Sequence, residues 1–363
     1  MHNRKLISIF AILFLSVNLH SVCAQSVKWS VDFNTVFDNR EGDRKYTATK
    51  TYFRTQLSPE IGLQINAEHS IAGGVVWNQP IGCEWEGYKL SPTLYYRYAG
   101  QNGWRFSFGM FPRTQLIKPM QDFIWSDVNY YNQRNIRGAL IQYQKTDGFF
   151  EAIVDWRGMQ TKKQRESFNI IARGEWDKPG KVLMAGGVAM MNHLAKQEDA
   201  PEDQYLVDHF IVNPFIGVNL ETVTPLDSFT IKAGPLLSLI RNRADRKWKV
   251  PCGAWLEIVG EWKWLGLKNT LYAGKELSPY YFEFGEVLDQ GEPFYASRFY
   301  NRTDVYAYVF RNSFLNVQAS LDFVFAEDNF TFYQKLLLRV YFDEKLWKNR
   351  KNLSKAEQIR NIY

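Results

Sequence analysis

The sequence predicts an all-β protein, a transmembrane antiparallel β-barrel of about 16 strands. Residues 315–325 are apolar at every odd position, with Asn316, Gln318, Ser320 and Asp322 between them. The same two-residue period recurs along nearly the whole chain, and no helical apolar stripe is long enough to cover these faces. Aromatic residues form 16% of the chain and crowd at segment ends. A closed barrel satisfies these observations, with lipid against its apolar face, water against its polar face and aromatic girdles at both membrane interfaces.

The N-terminus predicts export from the cytoplasm. Arg4 and Lys5 precede an apolar run at 6–17, and Ala24 offers a cleavage site, so residues 1–24 are predicted to be a signal peptide. The run of about a dozen residues is too short for a membrane anchor, which needs about twenty. Lipidation of Cys23 is the weaker alternative, because the small residues expected before a lipidated cysteine are absent. We therefore expect an outer-membrane barrel at 25–342 and a basic periplasmic tail at 343–363.

Charge and cysteine content exclude some classes of function. The formal charge is +6, and cleavage would remove Arg4 and Lys5. This small excess in an exported protein does not indicate nucleic acid binding. Cleavage leaves Cys83 and Cys252, for which two unpaired thiols are favoured over a disulfide.

Turn signals divide the barrel into strands joined by short periplasmic turns and longer outer loops. The clearest turns are Gln101-Asn102-Gly103, Thr146-Asp147-Gly148 and Lys178-Pro179-Gly180, and Gly266 is placed in a further tight reversal. The second strand carries Ser58-Pro59, which suits a bulge or a sheet edge. In chain order, the strands are predicted at 27–38, 46–65, 70–77, 90–98, 104–110, 138–145, 149–157, 168–176, 182–193, 209–220, 228–239, 254–264, 268–275, 303–310, 315–325 and 330–342.

Two further features are predicted, one beside the strand ends and one after the last strand. Tryptophans that suit the girdles lie beside strand ends, at Trp104, Trp156, Trp176, Trp262 and Trp264. Beyond the last strand, Ser354 followed by Glu357 fits a capping box and predicts a short helix from about Lys355.

Three sequence segments carry a resemblance to a known group. Residues 108–113 read Phe-Gly-Met-Phe-Pro-Arg, residues 135–138 read Asn-Ile-Arg-Gly, and 155–168 run from Asp-Trp-Arg to Arg-Glu-Ser-Phe. With these, the chain resembles the porin-like outer-membrane proteins of Bacteroides-type bacteria and is similar in plan to general porins. The resemblance implies that the third outer loop, at 112–136, folds into the lumen as a constriction.

The constriction and the lumen wall supply the candidate site residues. Opposed charges in a narrow pore would select solutes by charge and dipole, whereas the alternative is that they pair to brace the lumen. Phe123, Trp125, Tyr130 and Tyr131 could also stack on sugar rings, or pin the loop. The loop candidates are Arg113, Lys118, Asp122, Trp125, Asp127, Tyr130, Tyr131 and Arg134. The wall candidates are Arg105, Glu151, Asp155, Arg157, Arg173, Glu175, Asp322, Lys335 and Arg339.

The sequence thus predicts a porin-like channel for passive diffusion of small hydrophilic solutes, with oligosaccharides among the candidates. The alternatives are a closed structural or binding barrel that contacts surface polysaccharide or a partner, and a barrel hydrolase. For the hydrolase, His193 and His209 flank one outer loop and could approach each other, while Asp208 should point away from His209. No catalytic, metal or cofactor motif is recognised. The expected partners are outer-membrane lipid and lipopolysaccharide and the barrel-assembly machinery, with no nucleic acid.

Overall fold

The protein is a closed antiparallel barrel of sixteen strands in the computed structural model, which describes residues 26–84, 87–245 and 247–349. The predicted signal peptide, Cys23 and the predicted helix from about Lys355 lie outside the described residues. The strands are β1 Ser26–Gly42, β2 Lys50–Gln64, β3 His69–Pro80, β4 Lys89–Ala99, β5 Trp104–Pro112, β6 Asn135–Lys145, β7 Gly148–Gly158, β8 Ser167–Asp177, β9 Leu183–Leu194, β10 Val207–Asn219, β11 Ser228–Asn242, β12 Cys252–Trp262, β13 Leu265–Gly274, β14 Phe299–Arg311, β15 Leu315–Ala326 and β16 Asn329–Asp343.

Closure comes from the pairing of the first strand with the last. β1 pairs with β2 on one side and with β16 on the other, for example Asn34↔Arg339, and every other strand pairs with its neighbours in the chain. Closure leaves no unpaired sheet edge for lipid to contact. The predicted fold class is confirmed.

The alternation in β15 sorts its side chains as the sequence predicts. Leu321 and Phe325 are 46% and 45% exposed on the outside, whereas Asn316 and Asp322 are fully buried on the lumen side. A lipid-facing side chain counts as exposed because no lipid is present in the structure. All five predicted girdle tryptophans are likewise exposed: Trp104, Trp156, Trp176, Trp262 and Trp264.

Two long outer connections hold the short helices of the barrel. Loop 3, residues 113–134, contains the 3-10 turn Arg113–Gln115 and α1, Asp127–Asn132. Loop 7, residues 275–298, contains α2, Tyr281–Phe284, and the 3-10 turns Gly285–Val287 and Pro293–Ala296. Both loops enter the lumen from the outer end, opposite the short turns.

Three local predictions need correction or comment. Gly266 lies inside β13, where it pairs with Tyr306, because the reversal is made three residues earlier by Lys263 at a φ of 55°. β2 begins at Lys50 rather than at residue 46, and the Tyr46 ring instead packs in an outer loop, 5.9 Å from the ring of Phe294. Pairing of β2 with β3 is interrupted at Ser58-Pro59, as expected where proline lacks an N–H.

The chain turns directly from β16 into α3, Glu344–Asn349, at the periplasmic end. The backbone N–H of Trp29 donates to Glu344 Oε2 at 3.3 Å, and the rings of Trp29 and Trp347 meet edge to face at 6.5 Å. The first part of the predicted tail is therefore a short helix against the start of β1.

Candidate functional site

Loop 3 crosses the lumen and bonds to strands around its circumference. Arg134 pairs with Asp32 on β1, and the carbonyl of Tyr131 accepts hydrogen bonds from Gln56 on β2 and Asn78 on β3. On the other side, Arg113 pairs with Asp155 on β7 at 2.7 Å, and Lys118 pairs with Glu175 on β8. The loop thus spans the barrel instead of lying along one wall.

The most charged link joins α1 to the last strands. Ser126 caps α1, its hydroxyl accepting from Asn129 N–H at 3.3 Å. The cap sets Asp127 toward Arg302 on β14, at 2.8 Å, and Lys335 on β16. Burial alone would raise the pKa of Asp127, but Arg302 and Lys335 outweigh it and hold that pKa well below its usual range. The same two cations also contact Asp322, so four charges form one buried network.

Loop 7 packs on loop 3 and completes a plug. Ser126 N–H donates to the Gln290 carbonyl at 2.7 Å, and Asp127 N–H donates to Glu292 Oε1 at 3.0 Å. Tyr295 O–H donates to Asp122 at 2.7 Å. Burial, with Asp127 nearby, raises the pKa of Glu292 to about 7. Hydrogen bonds therefore join the two loops inside the lumen.

The plug also has an apolar centre. Phe123, Ile124 and Trp125 of loop 3 are buried in one cluster with Phe294 and Tyr295 of loop 7. The guanidinium of Arg113 lies 3.7 Å from the centre of the Trp125 ring, an attractive cation–π contact. These aromatic side chains face protein rather than an open channel.

The structure places all eight loop candidates in the plug and gives each a partner. The Tyr130 hydroxyl oxygen accepts from Met120 N–H at 2.7 Å, and Tyr131 O–H donates to Asp38 at 3.1 Å. The wall candidates Glu151, Asp155, Arg173, Glu175, Asp322, Lys335 and Arg339 are buried on the lumen side. Arg157 donates to backbone carbonyls of loop 7, and Arg105 bonds Gln144 near the periplasmic end. In this closed form these groups brace the lumen.

Two cavities lie inside the barrel below the plug, lined by residues that the structure describes. One, of about 210 Å³, lies under loop 3 between Trp125, Tyr130, Lys268 and Tyr306. The other, of about 440 Å³, lies at the periplasmic mouth beside Arg97. The plug separates these spaces from the outer end.

His209 lies on the lumen side of β10 under loop 7. Its Nδ1 is 2.6 Å from Asp289 Oδ1, and its Nε2 is 2.7 Å from Ser238 Oγ. The order of groups is that of a Ser-His-Asp triad. However, Ser238 and His209 are fully buried, and Asp289 belongs to the loop that would have to leave to admit a substrate. We therefore treat the group as a loop anchor.

His193 lies on the opposite face of the wall, so the expectation that His193 and His209 approach each other is wrong. Asp208 pairs with His193 across the strands and points away from His209, as alternation predicts. The His193 Nδ1 lies 2.8 Å from Asp208, and the carboxylate also binds Arg241 and Arg243 at 3.3 and 2.9 Å. This cluster faces lipid at the outer rim.

The rim cluster continues as a row of direct cross-strand partners. The row runs Trp156↔Phe168, Phe168↔His193, His193↔Asp208 and Asp208↔Arg241 over five strands. The rings of Trp156 and Phe168 stack at 5.1 Å, and those of Phe168 and His193 lie 5.0 Å apart. Aromatic and charged groups thus meet at the depth of the outer interface.

Sequence patterns do not indicate the loop 7 residues that complete the plug. Asp289, Gln290 and Glu292 lie in a stretch with no motif, and their partners are remote in sequence. One signal was present, because loop 7 carries five acids against two bases. An acidic loop above a lumen rich in arginine and lysine could have indicated the contact.

Other types of site find little support in the described ranges. Within them, no three or more His, Cys, Asp or Glu side chains are grouped so as to hold a metal ion. Cys83 and Cys252 are exposed free thiols. None of the helices in the described part of the chain has the length and apolar character needed to cross a bilayer.

The fold and the polar, loop-filled lumen define an outer-membrane-type β-barrel of porin architecture. Solved structures agree. The chain is similar to OprB of Pseudomonas putida, with 10% identity, a TM-score of 0.50, and coverage of 87% of this chain and 94% of that one. It is also similar to OccK5 (OpdH) of Pseudomonas aeruginosa, with 8% identity, a TM-score of 0.50, and coverage of 88% and 98%.

The family assignment comes from the sequence. The chain belongs to the lipid A 3'-O-deacylase-type family, whose model matches residues 19–349. No curated protein sequence matches the chain. The porin architecture in the predicted resemblance is confirmed as a fold, and its Bacteroides-type part stays a prediction.

Proposed function

We propose that this protein is an outer-membrane channel for small hydrophilic solutes that is closed at rest by the plug of loops 3 and 7. The carrying observation is that the lumen wall is lined with charged groups and that several of them pair with the plug. Asp32, Glu175, Arg302 and Lys335 each pair with a loop 3 side chain in addition to a partner on the wall. Without the plug these groups would require water, and a barrel of this size then encloses an aqueous channel.

Many contacts that hold the plug are of a kind that water can replace. Hydrogen bonds and ion pairs exchange with hydration at small net free energy, whereas apolar packing does not. Residues 283–291 of loop 7 reach the wall through polar contacts, such as Asp289 on His209 and the Glu286 carbonyl on Arg157, at 2.6 and 3.0 Å, and through the buried side chain of Leu288. The rest of the loop packs in the apolar cluster through Phe294 and Tyr295. We therefore assign the opening movement to residues 283–291 of loop 7.

Planar-bilayer recording tests the channel. The full-length protein should be silent for most of the recording and show short openings of uniform size. Replacing residues 283–291 with a Gly-Ser linker should make the openings long-lived. A folded linker variant that stays silent would contradict the proposal.

A second candidate is hydrolysis of acyl esters in outer-leaflet lipid. Family membership favours it, and the rim row gives it a location that lipid can reach. Asp208 would hold the Nδ1–H of His193, whose Nε2 would take a proton from the attacking water. Arg243, whose side chain is 45% exposed, could bind a lipid phosphate.

Mass spectrometry of lipid A after incubation with the purified barrel tests this second function. The wild-type barrel should remove an acyl chain, and His193→Ala should lose that activity by about a hundredfold or more. His69→Ala is the matched control, since His69 bonds Tyr96 at the periplasmic end. Intact lipid A in the presence of folded wild-type protein would exclude the candidate under those conditions.

A further inference from the structure

Loop 7 inserts one carboxylate into a buried polar cradle in the lumen wall. Asp289 Oδ1 lies 2.6 Å from His209 Nδ1 on β10 and 3.2 Å from Asn192 Nδ2 on β9. His209 and Asn192 are 0% and 1% exposed, and Ser238 behind them is 0% exposed. The cradle belongs to the wall, while the carboxylate belongs to the loop.

The wall groups are oriented for an anion. An ionised carboxylate only accepts hydrogen bonds, so the proton of the imidazole must be on Nδ1. The Nε2 of His209 then accepts from the Ser238 hydroxyl at 2.7 Å, which suits this tautomer. Asn192, whose own Oδ1 accepts from Asn169, adds an amide donor to the same oxygen. The cradle thus presents two donors to one carboxylate oxygen.

Asp289 does not satisfy its own hydrogen-bonding capacity in the cradle. Its Oδ2 is buried and has no hydrogen-bond partner among the described residues. A buried polar atom without a partner costs free energy that a better-placed ligand would avoid. A carboxylate that is not tied to the loop backbone can orient both oxygens, so it can compete with Asp289.

The net charge of the two loops also favours binding of an anion in the lumen. Loop 7 carries five acids and two bases, whereas loop 3 carries two acids and three bases. Withdrawal of loop 7 would remove negative charge from the lumen and leave the imidazole of His209, the Asn192 amide and the nearby Arg157 without their loop partners. The vacated region favours anions.

We propose that the cradle of Asn192, His209 and Ser238 is a carboxylate-binding site that Asp289 occupies in the closed form, and that small carboxylate-bearing solutes compete for it. The proposal rests on the proposed function only for its second part, that these solutes pass through the channel. The binding site itself is a property of the wall and can be tested without any conductance.

Chemical rescue tests the binding site. Asp289→Ala empties the cradle, and the midpoint of thermal unfolding is measured in detergent micelles with acetate, with chloride at equal ionic strength, and with neutral acetamide. Acetate should raise the midpoint of Asp289→Ala by at least about 2 °C over chloride, and acetamide should not. Glu283→Ala, which removes an exposed acid from the same loop, should show no acetate effect.

Planar-bilayer recording of the same variants tests whether carboxylate solutes pass through the channel. Asp289→Ala should conduct with anion selectivity, and acetate should shorten its openings in a concentration-dependent way. Should Asp289→Ala not fold, Asp289→Gly, which also removes the carboxylate and empties the cradle, takes its place in both arms. Rescue of the unfolding midpoint by acetate, together with an absence of conductance, would support the carboxylate site and contradict the channel. Absence of rescue in a folded variant would overturn the carboxylate site, whether or not the variant conducts.

Discussion

Loops 3 and 7 enter the same lumen but are held in different ways. Loop 3 bonds to β1, β2, β3, β7, β8, β14 and β16, and several of its ion pairs are buried on both sides. Loop 7 bonds to loop 3 and reaches the wall mainly over β7 to β10 and β14. Loop 3 is thus fixed across the lumen, whereas loop 7 can move while the barrel stays folded.

The largest effect on stability should come from removing the buried ion pairs that attach loop 3 to the strands. Asp127→Ala leaves Arg302 and Lys335 with less counter-charge in a buried network, and loss of one partner of such a pair costs roughly 3 kcal/mol or more. Urea unfolding should show a fall of that size in the free energy of unfolding. Lys162→Ala removes an exposed ion pair with Asp199 and should change it by less than about 0.5 kcal/mol. Equal effects of the two variants would refute the assigned role of loop 3.

The second-largest effect should distinguish movement of loop 7 from stability of the barrel. Replacing residues 283–291 of loop 7 should raise the open fraction tenfold or more, which corresponds to about 1.4 kcal/mol of closing free energy. The free energy of unfolding should fall by less than in Asp127→Ala, because the loop 3 links stay in place. The ratio of the two effects, from bilayer recording and urea unfolding, measures how independent the loops are. A linker variant that unfolds as readily as Asp127→Ala would mean that the loops act as one support.

A pH dependence should follow from Glu292. Its pKa is raised to about 7, first by burial and then by Asp127, with Arg40 and Arg302 acting against the rise. The plugged state therefore favours the protonated acid, so this contribution to closure is present below pH 4.5 and is lost as the pH rises through 7. Channel openings should increase more than about tenfold between pH 5 and pH 8.

The control for this pH effect is a neutral side chain of the same shape. Glu292→Gln should stay closed at both pH values, whereas Glu276→Gln, at an exposed pair with Arg298, should behave as wild type. A pH response that persists in Glu292→Gln would assign the effect to another group.

The smallest effect on stability should come from the exposed ion pair of loop 3. Lys118 pairs with Glu175, but its side chain is 46% exposed, and water can replace the lost partner. Glu175 also keeps Lys232 at 2.9 Å. Lys118→Ala should therefore cost at most about 1 kcal/mol in urea unfolding. A loss as large as that of Asp127→Ala would show that burial does not set the strength of these links.

Local pattern was enough to predict the wall of the barrel. The two-residue period in 315–325 placed Asp322 inside and Leu321 outside, because strand side chains alternate whatever lies around them. The same rule placed Glu151, Asp155, Arg173, Lys335 and Arg339 on the lumen side and turned Asp208 away from His209. The turn signals, by contrast, failed at Gly266, where Lys263 makes the turn in spite of its side chain.

The amino-acid sequence by itself determined the strands and their two faces, since these follow from period and turn chemistry, and the resemblance to porins implied the loop that enters the lumen. Only the tertiary structure decided that the loop bonds to strands on both sides of the barrel, that loop 7 joins it, and that Asp289 meets His209. These contacts join residues far apart in the chain, and no local pattern encodes them. Closure of the barrel brings the partners together, and their charges then decide which of them pair.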